Sequence, residues 1–148
     1  MNTHPYLRAY LAGLFVPSLG LLLLLSGFVV VRLVFQMPVP IERGLVFPMA
    51  LVPTLWGLWN MAHLCTRART GLPIGLHGAI LPLLIMPTGA LLGSCLGVLA
   101  LGQDGVTWFQ NWQVSYGLIA PCFMAALAGY YLVWKYIVGF VNGVLGIA

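Results

Sequence analysis

Four long apolar intervals, separated by isolated charged residues, make up most of the chain. Uncharged stretches lie between Arg8 and Arg32, Arg43 and Arg67, Arg69 and Asp104, and Asp104 and Lys135. Each is long enough for the ~20 apolar residues that a helix needs to cross a bilayer. We therefore predict four transmembrane helices, near residues 10–32, 44–64, 77–101 and 114–135.

These intervals predict an all-α membrane protein with a single domain, residues 1–148. Transmembrane strands would give segments of about ten residues with alternating polarity, and the sequence contains none. The first interval is too long for the apolar region of a removable signal peptide, so we expect helix 1 to be retained. Residues 136–148 are uncharged and too short to span. We expect this tail to lie along the membrane interface or against a neighbouring subunit.

The composition supports the membrane class. Of 148 residues, 61% are hydrophobic and 5% are charged, whereas soluble domains have about 25% charged residues. The net charge is +4, but basic residues scattered at helix ends do not form the basic stripe that nucleic-acid binding requires. We expect the lipid bilayer as a partner, no nucleic acid, and a location in the bacterial inner (plasma) membrane.

The charged residues also indicate the topology. One side of a four-span chain receives four basic residues: Arg8, Arg67, Arg69 and Lys135. The other side receives two basic and two acidic residues: Arg32, Arg43, Glu42 and Asp104. Cytoplasmic segments have an excess of Arg and Lys, so the first side is predicted to be cytoplasmic, together with both termini.

Two successive intervals repeat one proline pattern. Residues 44–54, GLVFPMALVPT, and residues 78–88, GAILPLLIMPT, both read Gly, three apolar residues, Pro, four apolar residues, Pro and Thr. Because consecutive spans run in opposite directions, this echo is an inverted repeat. In transporters such repeats carry interrupted helices that bind solutes. We therefore predict that helices 2 and 3 are interrupted by proline.

The interior prolines of this repeat, Pro53 and Pro87, each deprive the carbonyl four residues earlier of its helical donor. In hydrocarbon an unpaired carbonyl is costly, so it must meet a hydroxyl, a water, another helix or a bound species. One interpretation is a binding site at the freed carbonyls. The other is a pair of kinks repaired by the hydroxyls of Thr54 and Thr88.

Helix 2 has the largest set of aromatic and polar residues of any span. Four of them share one helical face because they follow each other at i, i+3, i+4 and i+7: Trp56, Trp59, Asn60 and His63. A histidine and an amide facing lipid would lack partners, so this face should point into protein. We predict a ligand site between helices 2 and 3, formed by Pro53, Thr54, Trp56, Trp59, Asn60, His63, His77, Pro87 and Thr88.

The two histidines of this set flank the link between helices 2 and 3. With Cys65, His63 and His77 offer donors for a transition metal, and the two imidazoles alone are an alternative axial pair for haem. A histidine at a membrane boundary is also an ordinary hydrogen-bonded interfacial group. We expect Cys95 and Cys122 to be buried as small apolar side chains.

Helix 3 carries glycines at every fourth position: Gly89, Gly93 and Gly97. Small residues at this spacing let membrane helices approach closely. We expect this face to pack against another helix, either within the bundle or in a second copy of the chain.

The link at residues 102–115 contains Trp108, Phe109 and Trp112 among amides. Such rings favour the membrane interface. We expect the link to lie there, either as a short flat helix or as plain aromatic anchors.

Three function classes follow. The spans contain no carboxylate, which disfavours proton- or sodium-coupled exchange, and no GxSxG, HExxH or phosphate-cradling motif is present, which disfavours an enzyme. The first class is a homo-oligomeric channel or uncoupled carrier for a small solute or ion. The second is a redox subunit with haem or a metal at His63 and His77. The third is a structural or lipid-binding subunit of a larger membrane complex.

Overall fold

The computed structural model describes residues 4–36, 46–109 and 112–147. Helices account for most of this part of the chain: α1 (Pro5–Val29), α2 (Phe47–Thr70), α3 (Ile74–Cys95), α4 (Tyr116–Leu132) and α5 (Gly139–Val144). A π-helical segment, Val30–Val34, extends α1. A second π-helical segment, Val133–Val138, joins α4 to α5. The predicted predominance of helix is confirmed.

Within the described residues, three helical stretches are long and apolar enough to cross a bilayer, judged by length and composition. They are Pro5–Val34 with 30 residues, Ile74–Cys95 with 22 and Tyr116–Val144 with 29. Helix α2 has 24 residues, which corresponds to about 36 Å at the usual helical rise. It is more polar than the other three because its second half contains Asn60, His63, Arg67 and Arg69.

Helices α1 and α2 form an antiparallel pair with close backbone contact. A Cβ atom added at Gly13 would lie 2.5 Å from the carbonyl oxygen of Trp56, and one added at Gly57 would lie 2.6 Å from the Tyr10 ring. Glycine is therefore required at both positions for the helices to approach this closely.

The first turns of α3 approach the end of α4 and the π segment in the same way. A Cβ atom at Gly75 would lie 2.9 Å from the Tyr131 ring, and Gly78 lies directly against the indole of Trp134. The glycines expected to make such contacts do not make them within the bundle. Among the described residues, a Cβ atom at Gly89 would meet nothing within 4 Å, and one at Gly93 would meet only the side chain of Leu99.

Gly97 has a different task, which is to end α3. Its φ is +67°, a region that glycine adopts without strain. The N–H of Gly97 donates to the carbonyl of Ser94 at 3.1 Å, and the N–H of Val98 donates to the carbonyl of Gly93 at 2.9 Å. This pair of hydrogen bonds is a Schellman motif. It ends α3 at Cys95, six residues before the predicted end of the span.

The link that follows is a small antiparallel sheet, which differs from the all-α prediction and from the flat helix considered for this link. Its strands are β1 (Leu99–Leu101), β2 (Gly105–Trp108) and β3 (Trp112–Ser115), in the order β1-β2-β3. Strand pairing satisfies the backbone N–H and C=O groups of this link. The β-branched and aromatic residues of β2 favour this pairing.

The interior prolines leave the helices continuous. Helix α2 runs through Pro53, and α3 runs through Pro82 and Pro87, so the predicted interruptions are absent. The hydroxyl of Thr88 donates to the carbonyls of Leu84 at 2.8 Å and Ile85 at 3.0 Å. Neither is the carbonyl that Pro87 leaves without its helical donor, which is that of Leu83.

The side chains pack mainly in the half of the bundle nearest the α2–α3 link, which we call the packed half. Its main buried cluster consists of Trp56, Leu81, Trp134 and Val138. In the other half, which we call the sheet half, most side chains of residues 83–97 and 116–125 are exposed. Lipid or another protein surface must cover them if the helices are in a membrane.

The tail packs onto its own chain in the packed half. Ile147 is buried in a second cluster with Ala9 and Ala12 of α1. Helix α5 ends in another Schellman motif, in which Gly146 donates to Gly143 at 3.0 Å and Ile147 donates to Asn142 at 2.9 Å.

Candidate functional site

An aromatic contact joins α2 to α3 in the packed half. The rings of Trp59 and His77 are stacked with centroids 4.7 Å apart, and the ring of His63 lies 4.9 Å from that of His77. The indole N–H of Trp59 donates to the carbonyl of His77 at 2.8 Å. In return, Nε2 of His77 lies 3.0 Å from the carbonyl of Trp59. These reciprocal contacts fix the two helices together, although the helices share little other surface.

A buried amide pair joins α2 to the tail. Asn60 Nδ2 donates to Asn142 Oδ1 at 2.8 Å and to the carbonyl of Ala9 at 2.7 Å, and Asn142 Nδ2 donates back to Asn60 Oδ1 at 3.1 Å. Asn60 and Asn142 are only 1% and 6% exposed. Because an unpaired amide in the interior is costly, each side chain depends on the other, and together they hold α1, α2 and α5 in register.

A cleft of about 410 Å³ lies next to these two contacts. Its lining consists of His63, Arg67, Gly71, Leu72, Ile74, Gly139 and Asn142. Its volume is within the range of ~300–1,000 Å³ that is usual for small-molecule sites. Apolar walls are thus combined with one guanidinium, one imidazole and one amide, which is the pattern of a site for a small polar ligand.

Two arginines tie the tail to the same end of the bundle. Arg67 Nη1 donates to the carbonyl of Ile147 at 2.7 Å, and Arg8 Nη1 lies 3.3 Å from the carbonyl of Leu145. Cations are favourable at a helix C-terminus because the last carbonyls have no helical partners. Lys135 is also at this end, since its Cβ lies beside Gly75. We call this the basic end of the bundle.

The structure brings together only part of the predicted ligand site. Asn60 is paired with Asn142, and Pro53 is buried on the same helix. The rings of Trp56, Trp59, His63 and His77 form one aromatic cluster, in which Trp134 links Trp56 to His77. Thr54, Pro87 and Thr88 are exposed and do not join it. Pro87 is ten residues from His77 along α3, which is about 15 Å of helix. The sequence repeat therefore groups Pro87 and Thr88 with residues from which the fold separates them.

The residues that were predicted to bind a metal or haem are not arranged to do so. Cys65 is exposed, and the described part of the chain contains no group of three His, Cys, Asp or Glu residues positioned to hold a metal ion. Haem needs two imidazoles facing one iron across a flat macrocycle. The ring of His77 instead stacks on Trp59 and directs Nε2 at a backbone carbonyl. Cys95 and Cys122 are exposed as well, contrary to their expected burial.

Three residues that shape this region are not among the predicted site residues. Trp134 is fully buried and contacts the rings of Trp56 and His77, but in the sequence it lies among tyrosines next to Lys135, a composition that is typical of a membrane interface. Asn142 was the one signal that could have been found, because it is the single amide in an uncharged apolar tail. Leu72 lines the cleft from the link between α2 and α3. The helical periodicity of the sequence does not predict where a residue of this link lies.

Comparison with known proteins adds no assignment: no protein-family model, curated protein or solved structure matches this chain. Any function must therefore be argued from the geometry itself.

Proposed function

We propose that the chain is a four-span membrane protein whose basic end faces the cytoplasm. Arg8, Arg67 and Lys135 meet at this end, which agrees with the cytoplasmic excess of basic residues. Lys135 Nζ lies 5.6 Å and 5.1 Å from the ring centroids of Tyr131 and Tyr136, an arrangement typical of a membrane interface. We count α2 as a span because Asn60, the amide near its middle, is buried, and its exposed arginines, Arg67 and Arg69, lie in the last turn. The bacterial inner membrane is the proposed location.

Cysteine accessibility tests this topology. Cys65, Cys95 and Cys122 are exposed and must first be replaced by Ala. A single cysteine at Thr66 should then resist a membrane-impermeant maleimide in intact cells, whereas one at Gln103 should react. Labelling of Thr66→Cys from outside would disprove the orientation.

We further propose that the cleft binds a small anion, with phosphate as the recognised group. The observation that carries this proposal is the position of Arg67 on the cleft wall beside His63 and Asn142. Arg67 donates one N–H to the carbonyl of Ile147. This bond uses only one of the five N–H donors of a guanidinium. The only acidic residue that the structure describes is Asp104, in the β1–β2 turn of the sheet half. No described carboxylate therefore neutralises this charge, and an anion can.

Two sources can supply such a phosphate, a soluble anion or a lipid headgroup of the cytoplasmic leaflet. The first corresponds to a channel or uncoupled carrier, which we propose to be a homo-oligomer because one small bundle offers little room for a pathway. The second corresponds to a lipid-binding subunit of a larger membrane complex. Anionic headgroups are attracted to juxtamembrane basic residues in the same way.

Titration calorimetry of the full chain with inorganic phosphate in phosphatidylcholine nanodiscs tests this proposal. We expect saturable binding that Arg67→Gln weakens by about tenfold or more, since a hydrogen bond to a charged group contributes about 1.5–3 kcal/mol. Arg69→Gln removes the same charge from a residue that is exposed like Arg67 but does not line the cleft, and it should change the affinity little. Arg8→Gln removes the other arginine contact to the tail and controls for loosening of α5.

The same titration in phosphatidylglycerol nanodiscs separates the two sources. If the headgroup occupies the cleft, these discs suppress phosphate binding in the parent, and Arg67→Gln co-purifies with less phosphatidylglycerol. If a soluble anion is the ligand, binding persists and proteoliposomes release trapped phosphate. The proposal fails if neither inorganic phosphate nor phosphatidylglycerol binds, or if Arg67→Gln and Arg69→Gln change the affinity equally.

A further inference from the structure

Two indole N–H groups are buried in the core of the packed half without a hydrogen-bond partner in the described structure. They belong to Trp56 and Trp134, whose residues are 5% and 0% exposed. Their ring centroids lie 5.3 Å apart. An unsatisfied buried donor lowers the stability of the fold, and such groups are rare in native proteins. These N–H groups therefore call for an acceptor.

One of these rings packs against a residue whose carbonyl lacks its usual helical donor. Pro82 is fully buried in α3 and has no N–H to give to the carbonyl four residues earlier, which is that of Gly78. A Cβ atom at Gly78 would meet the Trp134 side chain, and the atoms it would meet include Cδ1. In the indole ring Cδ1 is bonded to Nε1. The orphaned donor of Trp134 thus belongs to a ring that contacts the residue with the freed carbonyl.

The two groups do not bond directly, since Trp134 Nε1 has no partner among the described atoms. A water molecule both accepts and donates, so one water can satisfy both groups. Buried waters typically make about three hydrogen bonds to polar groups of this kind, and waters are among the means by which proline-containing membrane helices satisfy freed backbone groups.

We propose that the core of the packed half holds an ordered water molecule that accepts from the indole N–H of Trp134 and donates to the carbonyl of Gly78. The site is distinct from the cleft and independent of what the cleft binds. It gives the carbonyl that Pro82 frees a hydrogen-bond donor, and it makes the Gly78–Trp134 contact partly polar.

Water-to-indole magnetisation transfer in the full chain, labelled with ¹⁵N-indole tryptophan in nanodiscs, tests this site. The Trp134 N–H should show a cross-peak to a long-lived water. Trp59 is the internal control, because it is half-buried in the same half of the bundle and its N–H donates directly to the carbonyl of His77. The Trp59 N–H should show no cross-peak to a long-lived water. Single Trp→Phe variants at the other four tryptophans assign the Trp134 signal even if Trp134→Phe fails to fold.

A pair of proline variants tests the acceptor. Pro82→Ala supplies an N–H to the Gly78 carbonyl, so it should shift the Trp134 indole resonance and remove most of the water cross-peak. Pro87→Ala is the matched control, because Pro87 is exposed in the same helix, and it should leave both unchanged. A parent protein without the cross-peak, or a cross-peak that survives Pro82→Ala unaltered, overturns the proposal.

Discussion

The packed half and the sheet half of this molecule have the same kind of apolar sequence but are built differently. In the packed half, glycines permit backbone contact and polar side chains find partners, as Asn60 does with Asn142. In the sheet half, Gly89 has open space beside it and Thr88 is exposed. The difference shows that a glycine or a proline in an apolar helix has no fixed role. What it does depends on whether another helix is close enough to use it.

Replacement of Gly78 should have the largest effect on this comparison. In Gly78→Ala the new methyl would overlap the Trp134 ring, and overpacking of a tight core costs about 1–3 kcal/mol. We expect a loss near the upper end of that range in the free energy of unfolding, measured by titration with denaturing detergent. Gly89→Ala, in the open sheet half, should leave it unchanged. Equal effects would contradict the division into two halves.

The buried amide pair comes next. Asn60→Leu leaves Asn142 and the carbonyl of Ala9 without their partner and should cost about 2 kcal/mol, whereas Asn142→Leu spares the bond to Ala9 and should cost about 1 kcal/mol. The double variant should cost less than the sum, because the partners are coupled. Thr88→Val removes a polar group of the sheet half and should change stability by less than about 0.5 kcal/mol. Strict additivity would show that the two amides are not a pair.

Disturbing the contact between the tail and the bundle is expected to have a smaller effect on stability. Gly146 has φ +66°, and a left-handed conformation costs an L-residue about 1–2 kcal/mol, so Gly146→Ala should speed hydrogen exchange at Ile147 and lower stability by about 1 kcal/mol. Gly143→Ala, at an open helical position of α5, is the control and should not loosen the tail. If both variants exchange like the parent, the Schellman motif does not hold the tail.

The smallest effect concerns the repeated prolines, and here the two halves should differ in sign. Pro87→Ala supplies the missing backbone N–H at an exposed position and should raise stability by about 0.5 kcal/mol, the lower end of the usual net contribution of a hydrogen bond. Pro53→Ala restores a bond but removes buried ring atoms worth about 0.8 kcal/mol per methylene, so it should lower stability. Phosphate affinity should be insensitive to Pro87→Ala. A loss of phosphate binding in Pro87→Ala would instead support a functional role for the repeated proline at this position.

Much of this architecture was predictable from the pattern of charges and apolar residues. Intervals free of charge gave helices near the expected positions, because a backbone in an apolar environment must bond to itself. The inward face of α2 was also predictable, since Trp56, Asn60 and His63 recur at helical spacing and two of them need polar partners. The sheet was not predictable, because strands of three or four residues leave too short a pattern and Gly97 resembled a packing residue.

The sequence by itself determined which segments are helical, which end of the bundle is basic and which face of α2 seeks protein. Only the tertiary structure decided which residues meet. It assigned Asn60 to Asn142, 82 positions away, placed Trp134 on Gly78, and left Thr54, Pro87 and Thr88 at the surface. The physical reason is that local spacing fixes the face of a helix on which a side chain lies. The partner on that face depends on how the helices cross, which in this chain is set by glycine contacts and buried hydrogen bonds between distant segments.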